Sequence, residues 1–344
     1  MRDIICVGGS TTSYRRPDKK RFNGECPKFG EPDAGTGSYP EAINRLYGNK
    51  IYNLGVVSNT METSVLSAIS KAKELINNGN TNFSIIYNPS DLLRHSIYFS
   101  DKMRKVKGIK DNLNNPVNNN YLFNNDQSGF MLMGGLQNVS EGQFDCKNAA
   151  KIAKSYSEYL FSIESSEIKS LSYLLLLQNF CKANNIRYKI FFDFDIFSND
   201  SNDYFELDKT NTETYFKSFF IDKKLCEYEP LNYIKNNDAY VYDIFKMLDL
   251  NSIWFYEIDN LKYGGFFEWL YKNNEYKEND YSYRPLYIED ISRATHTLDD
   301  TSYLFPIERI KEQIKNNEFM ERGHPTYYYW EKFVKEVMIT WNLF

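Results

Sequence analysis

The stretch that decides the fold is IICVGGSTTSY, residues 4 to 14. Ile4 to Val7 is an apolar run closed by Gly8 and Gly9, the pattern of a strand buried on both faces. Ser10, Thr11 and Thr12 follow the glycine pair, so a hydroxyl-rich turn stands where that strand ends. The loop from Ser10 to Gly37 holds most of the glycine and proline of the region. Ser38 is placed to cap a helix that begins at Tyr39 and Pro40 and stops at Gly48, proline being tolerated in a first helical turn. A second strand, Ile51 to Leu54, ends at Gly55. From about Thr60 to Ile76, Val65, Ala68, Ile69, Ala72 and Leu75 fall on one face of an amphipathic helix. A third strand, Phe83 to Tyr87, ends in NPSD.

Strands alternating with helices predict an α/β protein, a three-layer α/β/α sandwich around a mainly parallel sheet. In such sheets ligands sit beyond the carboxyl ends of the strands, beside the point where the strand order reverses. Ser10, Gly55 and Asn88 each come just after a predicted strand, so one edge gathers all three.

Farther along, the regularity lapses from residue 95 to about Lys147, apart from GFMLMGG, whose apolar middle suits a strand or a tucked loop. Helices are predicted over 148–161 and 165–183, the second with Leu171, Leu174, Leu175, Leu176 and Leu177 around most of its circumference and hence well buried. A strand follows in RYKIFFDF, residues 187 to 194, and another in SIWFYEI. The final segment, HPTYYYWEKFVKEVMITWNLF, has helical spacing through Trp330, Phe333, Val334 and Val337. No repeat or linker divides the chain. It reads as one domain over 1–344, with insertions at about 101–146 and 197–320.

A net charge of −5 argues against a polyanion-binding face, which needs clustered Lys and Arg, so nucleic acid is not an expected partner. The five cysteines are odd in number, scattered and without a CxxC pair, and read as reduced thiols. No leader is read before Ile4 and the apolar runs are too short to cross a bilayer, so the expectation is a soluble cytoplasmic protein with no membrane partner. Abundant Asn and Lys beside scarce Ala reflect an AT-rich genome more than a functional code.

Serine is a poor nucleophile at neutral pH and needs a base, usually histidine, and donors aimed at the developing oxyanion. Of the three histidines, His324 in MERGHPTYYYW is the best base, because a loop before the last helix of such a sheet returns to the edge where the first strand ends. Glu321 stands three residues earlier, placed to hold the imidazole tautomer. His296, followed by Asp299 and Asp300, is the rival base, in a stretch that reads as a solvated turn; His95 reads as structural. A Gly-Gly-Ser turn also occurs in phosphate-binding proteins, but neither GxGxxG nor GxxxxGK[ST] is present. Asp193 and Asp195 in FDFD read as a polar strand end rather than metal ligands. Tyr327, Tyr328, Tyr329 and Trp330 suit either a sugar-stacking wall or helix packing.

These blocks together resemble the SGNH hydrolase superfamily, the GDSL-type esterases and lipases, over roughly the first ninety-five residues, the last twenty-five, and the Leu-rich helix with its following strand. Gly8-Gly9-Ser10 resembles the family's Gly-Asp-Ser, with glycine in place of aspartate. NLGVVSNT resembles its second block, Asn88-Pro89-Ser90-Asp91 its Gly-x-Asn-Asp, and Glu321-x-x-His324-Pro325 its Asp-x-x-His. The resemblance implies Ser10 as nucleophile, His324 as base and Glu321 as its orienting acid. It implies an oxyanion hole from the N–H groups of Ser10 and Gly55 with the side chain of Asn88 or Ser90, and no metal or organic cofactor. The implied activity is hydrolysis of an acyl ester, with an O-acetyl group on a carbohydrate as the expected substrate. The departures keep two alternatives open, a non-catalytic binding or structural module and a sugar O-acyltransferase. The chain is also similar to SGNH-like proteins of marine bacteriophages, which adds a virion setting to the expectations. Oligomeric state is not legible.

Overall fold

The computed structural model describes residues 2–9, 12, 38–55, 59–89, 92, 94–99, 121–123, 129–133, 151–152, 155–156, 159–160, 162–193, 239–258, 261–266, 269–270, 286–287, 319–321, 324–325 and 327–344. In chain order these form β1 (Asp3–Gly8), α1 (Tyr39–Tyr47), β2 (Ile51–Asn53), α2 (Met61–Asn77), β3 (Phe83–Asn88), β4 (His95–Phe99), β5 (Tyr121–Phe123) and β6 (Gly129–Met133). Then come α3 (Ile163–Ala183), β7 (Arg187–Phe191), α4 (Ala239–Met247), β8 (Ile253–Trp254), β9 (Tyr256–Ile258) and β10 (Leu261–Gly264). The carboxyl-terminal part holds β11 (Leu286–Tyr287), β12 (Phe319–Glu321), β13 (His324–Pro325) and α5 (Tyr327–Glu336).

The main sheet has five strands in the order β2-β1-β3-β7-β8, and every neighbouring pair is parallel. Parallel neighbours require a crossover, and α1 and α2 supply the first two. The chain steps outward from β1 to β2, then back past β1 to β3, so the order reverses between β1 and β3. Because side chains alternate across a strand, β1 feeds two cores. Ile5 and Val7 pack with α2 (Met61, Val65, Ala68, Ala72, Leu75), α3 (Leu171, Leu174, Leu177) and α4 (Val241, Phe245). Ile4 and Cys6 pack with α1 (Tyr39, Ala42, Ile43) and α5 (Tyr329, Trp330, Phe333, Val334). Among the described residues, no helix is long and apolar enough to cross a membrane.

Local chemistry accounts for the helix ends. Thr60 caps α2 in a reciprocal box with Thr63, and Gly48 closes α1 at φ 70°, a left-handed position that glycine adopts without a Cβ penalty. Ser38 occupies the cap position of α1 but its side chain makes no cap bond.

Two expectations are corrected, for SIWFYEI and for the burial of α3, and of the two readings of GFMLMGG the strand is the one found. SIWFYEI is not one strand: Ile253–Trp254 extends the main sheet beside β7, and Tyr256–Ile258 turns away to pair antiparallel with β10. The stretch after residue 95 carries an antiparallel sheet of order β4-β6-β5, in which GFMLM is the central strand. Leu176 is 43% exposed, so α3 is buried along a stripe and not around its circumference. Of the two segments read as insertions, 101–146 and 197–320, most lies outside the described residues. Within the second, α4 and β8 belong to the main sheet and its core.

Candidate functional site at the carboxyl edge of the sheet

The reversal point between β1 and β3 ends on one register pair, Gly8 with Asn88. A Cβ on Gly8 would run into the backbone oxygen of Asn88 and the Thr12 hydroxyl, so the turn after β1 can close onto β3 only with glycine there. Thr12 is fully buried, and its N–H donates to Gly9 O at 3.2 Å.

Polar side chains from four segments converge on that turn. Asn88, buried, donates from Nδ2 to Phe191 O and to Asp193 Oδ1, both at 3.1 Å. The Thr12 hydroxyl lies 3.5 Å from both Asn88 Oδ1 and the Tyr39 hydroxyl. Asn53 bridges two loops, its Nδ2 donating to Thr12 O at 3.0 Å while its Oδ1 accepts the Gly55 N–H at 2.9 Å. Asn59, also buried, donates from Nδ2 to Gly8 O at 3.3 Å. Burial pushes the Tyr39 phenol well above its ordinary range, reinforced by neighbouring Cys6 and Asp193. Burial likewise pushes the Cys6 thiol up, so both groups stay neutral and serve as hydrogen-bonding groups within the wall.

A second polar cluster holds the chain that leaves β3. Leu92 O accepts from Ser166 Oγ at 3.3 Å and Ser170 Oγ at 2.8 Å. Glu62 Oε2 accepts from Ser96 Oγ at 2.5 Å and pairs with Lys169 Nζ at 2.5 Å, while Glu62 Oε1 accepts from the Tyr173 hydroxyl at 2.9 Å. Burial and that carboxylate push the Tyr173 phenol up to about 12. One face of α3, with residues at helical spacing, thus grips the segment that follows β3.

Against the expected site residues the outcome is mixed. Ser10 and Ser90 lie outside the described residues, as do His296, Asp299, Asp300 and Asp195. Asn88 is at the reversal point, but its amide N–H groups are directed to Phe191 O and Asp193. Gly55 stands on the same edge with its N–H on Asn53 Oδ1. Glu321 and His324 are register partners across the antiparallel pair β12–β13, so the expected loop before the last helix is instead a short strand. Three residues after His324 α5 begins, and its Trp330 rests against Tyr39 with ring centroids 5.7 Å apart. That anchors the His324 segment to the core on which β1 lies. His95 opens β4 opposite Met133. Tyr329 and Trp330 are buried in the core and form no stacking wall. Among the described residues no group of three or more metal-ligating side chains occurs.

Asn53 and Asn59 are not among the expected site residues, and Thr12 and Asp193 are expected only as part of a strand-end turn and as a polar strand end. The signal available was their shared position: each is an Asn, Thr or Asp at or just past a strand end, or just ahead of α2. Comparison with family models, curated proteins and solved structures finds no match to the chain.

Proposed function

We propose that the chain is a serine hydrolase of the SGNH type, a three-layer α/β/α sandwich with long insertions, acting on an acyl ester. The observation that carries the reading is the Gly8–Asn88 pair at the reversal point, where β1 ends two residues before Ser10 and the side chains of Asn53, Asn59, Asn88 and Asp193 gather. An α/β sheet of this order places its ligand there.

In the proposed reaction Ser10 Oγ attacks the acyl carbon as His324, oriented by Glu321, takes its proton. The ester C–O bond then breaks and His324 gives that proton to the leaving alcohol, after which water, deprotonated by His324, attacks the acyl-enzyme and frees the acid and Ser10. The Ser10 N–H is the first oxyanion donor. Since the Asn88 amide is committed to Phe191 O and Asp193, the proposal gives the side-chain contact to Ser90. The Gly55 N–H joins the hole by exchanging Asn53 Oδ1 for the oxyanion. The substrate class proposed is an O-acetylated carbohydrate in a cytoplasmic or virion setting, with no metal or organic cofactor, and sugar O-acyl transfer follows if a hydroxyl replaces water. The test is turnover of p-nitrophenyl acetate and of acetylated oligosaccharides. Wild type should hydrolyse at least one, Ser10→Ala should lose about 10³-fold or more, and His324→Ala a comparable factor. Equal rates in wild type and Ser10→Ala would end the reading.

The second reading, a non-catalytic module on the same sheet, is favoured by one observation: two of the expected oxyanion donors, Gly55 N–H and the Asn88 amide, already have acceptors. Folded protein that turns over no ester yet binds the acetylated glycan would favour it.

A further inference from the structure

The amino end of α2 reaches the turn after β1 through one side chain. Asn59 Oδ1 accepts from the Thr60 N–H at 3.0 Å and from the Thr63 hydroxyl. With two donors on the oxygen, the amide has one workable orientation, in which Nδ2 faces Gly8 O. Thr63 is itself fixed, because its hydroxyl also serves the capping box with Thr60. The same helix end holds the chain beyond β3, since Thr60 Oγ1 lies 3.4 Å from Ser96 Oγ and Glu62 accepts from that hydroxyl. The amino end of this seventeen-residue helix is therefore bonded both to the last residue of β1 and to β4, the strand that follows β3.

We infer that Asn59 is a positioning residue for the Gly8–Gly9 peptide from which Ser10 follows in the chain: by holding the Gly8 carbonyl it fixes that peptide plane. This rests on the hydrolase reading for its consequence in rate, but the positioning itself does not. A nucleophile displaced by about 1 Å loses on the order of 10²-fold in rate, so a single hydrogen bond at the root of its turn has leverage on the chemistry. Asn59 touches neither substrate nor reacting atoms; it acts through the backbone.

The experiment compares wild type with Asn59→Asp, which keeps the shape and the Oδ1 acceptor but replaces the donor to Gly8 O with a second acceptor. Two readouts are taken on folded protein: the second-order rate of fluorophosphonate capture at Ser10, and hydrogen exchange in the peptide spanning residues 4 to 14. The expected result is about a tenfold or greater fall in capture rate together with several-fold faster exchange near residues 8 to 12. Unchanged exchange overturns the inference whatever the capture rate does. No capture in wild type, with exchange still accelerated in the variant, removes the hydrolase reading and leaves the positioning supported. Should Asn59→Asp not fold, Thr63→Val takes its place, removing one of the two donors that orient the amide, with Thr63→Ser as the rescue. Accelerated exchange in the valine variant that the serine variant reverses supports the inference, and exchange indifferent to both contradicts it.

Discussion

The two faces of the sheet are built differently. On one, the seventeen-residue α2 and twenty-one-residue α3 bring Val65, Ala68, Leu171, Leu174 and Leu177 against Ile5 and Val7, a mainly aliphatic core to which Phe83, Tyr87, Phe192 and Phe245 add four rings. On the other, α1 and α5 have nine and ten residues, and the core is largely rings: Tyr39, Phe191, Phe266, Trp269, Trp330 and Phe333. Phe266 and Trp330 stack at 4.2 Å, and Phe333 meets Trp254, Phe266 and Trp269 edge-on at 5.1, 4.9 and 5.0 Å. Short helices bury less apiece, and large rings compensate by carrying more area and orientation-dependent contacts per residue. The aromatic face is also the one against which α5, the helix that follows the His324 segment, packs beside β1 and α1.

The largest effect is expected from Trp330→Ala, which empties the centre of the ring cluster and should destabilise by about 3–5 kcal/mol in urea unfolding. Next, Phe333→Leu should cost about 2 kcal/mol or more, because ring-edge pairs are each worth roughly 0.5–1.5 kcal/mol. Leu174→Met on the aliphatic face should stay under about 1.5 kcal/mol. Equal losses would erase the distinction between the faces.

Alkaline titration sharpens the same comparison. Tyr39 and Cys6 on the aromatic side, and Tyr87, Tyr173 and Cys181 on the other, have values raised chiefly by burial, Cys181 to about 12. The folded state then holds protons that the unfolded chain releases near pH 9–10, so stability is intact below that range and falls as pH rises through it. The midpoint of thermal unfolding should drop there, with phenolate absorbance of Tyr39 and Tyr87 appearing only with unfolding. Phenolate signal from every tyrosine in still-folded protein would contradict this. The smallest effect belongs to the exposed Lys335–Glu331 pair on α5, where Lys335→Ala should move stability by about 0.5 kcal/mol or less.

How far the sequence could be read follows the same division. β1, α2 and β3 were legible because their periodicity is local: IICV closes on glycines, and Val65, Ala68, Ala72 and Leu75 repeat at helical spacing. α3 was legible as a helix but not in its exposure, since a run of four leucines does not say which one faces water. The split of SIWFYEI depends on two different partners, β7 and β10, that no local pattern names. At the site, the edge was predicted from strand ends, but the engagement of Asn88 depends on Asp193, 105 residues away. Glu321 and His324 were read as a loop because three residues of separation fit a turn as well as the hairpin that pairs them.

In the proposed mechanism Ser10 is a nucleophile whose proton passes to His324, and fluorophosphonate capture with the adduct mapped by peptide mass is its most direct test. One adduct is expected, on Ser10, formed on folded wild type and slowed at least about tenfold in His324→Ala. An adduct elsewhere, none at all, or one indifferent to His324→Ala would contradict it.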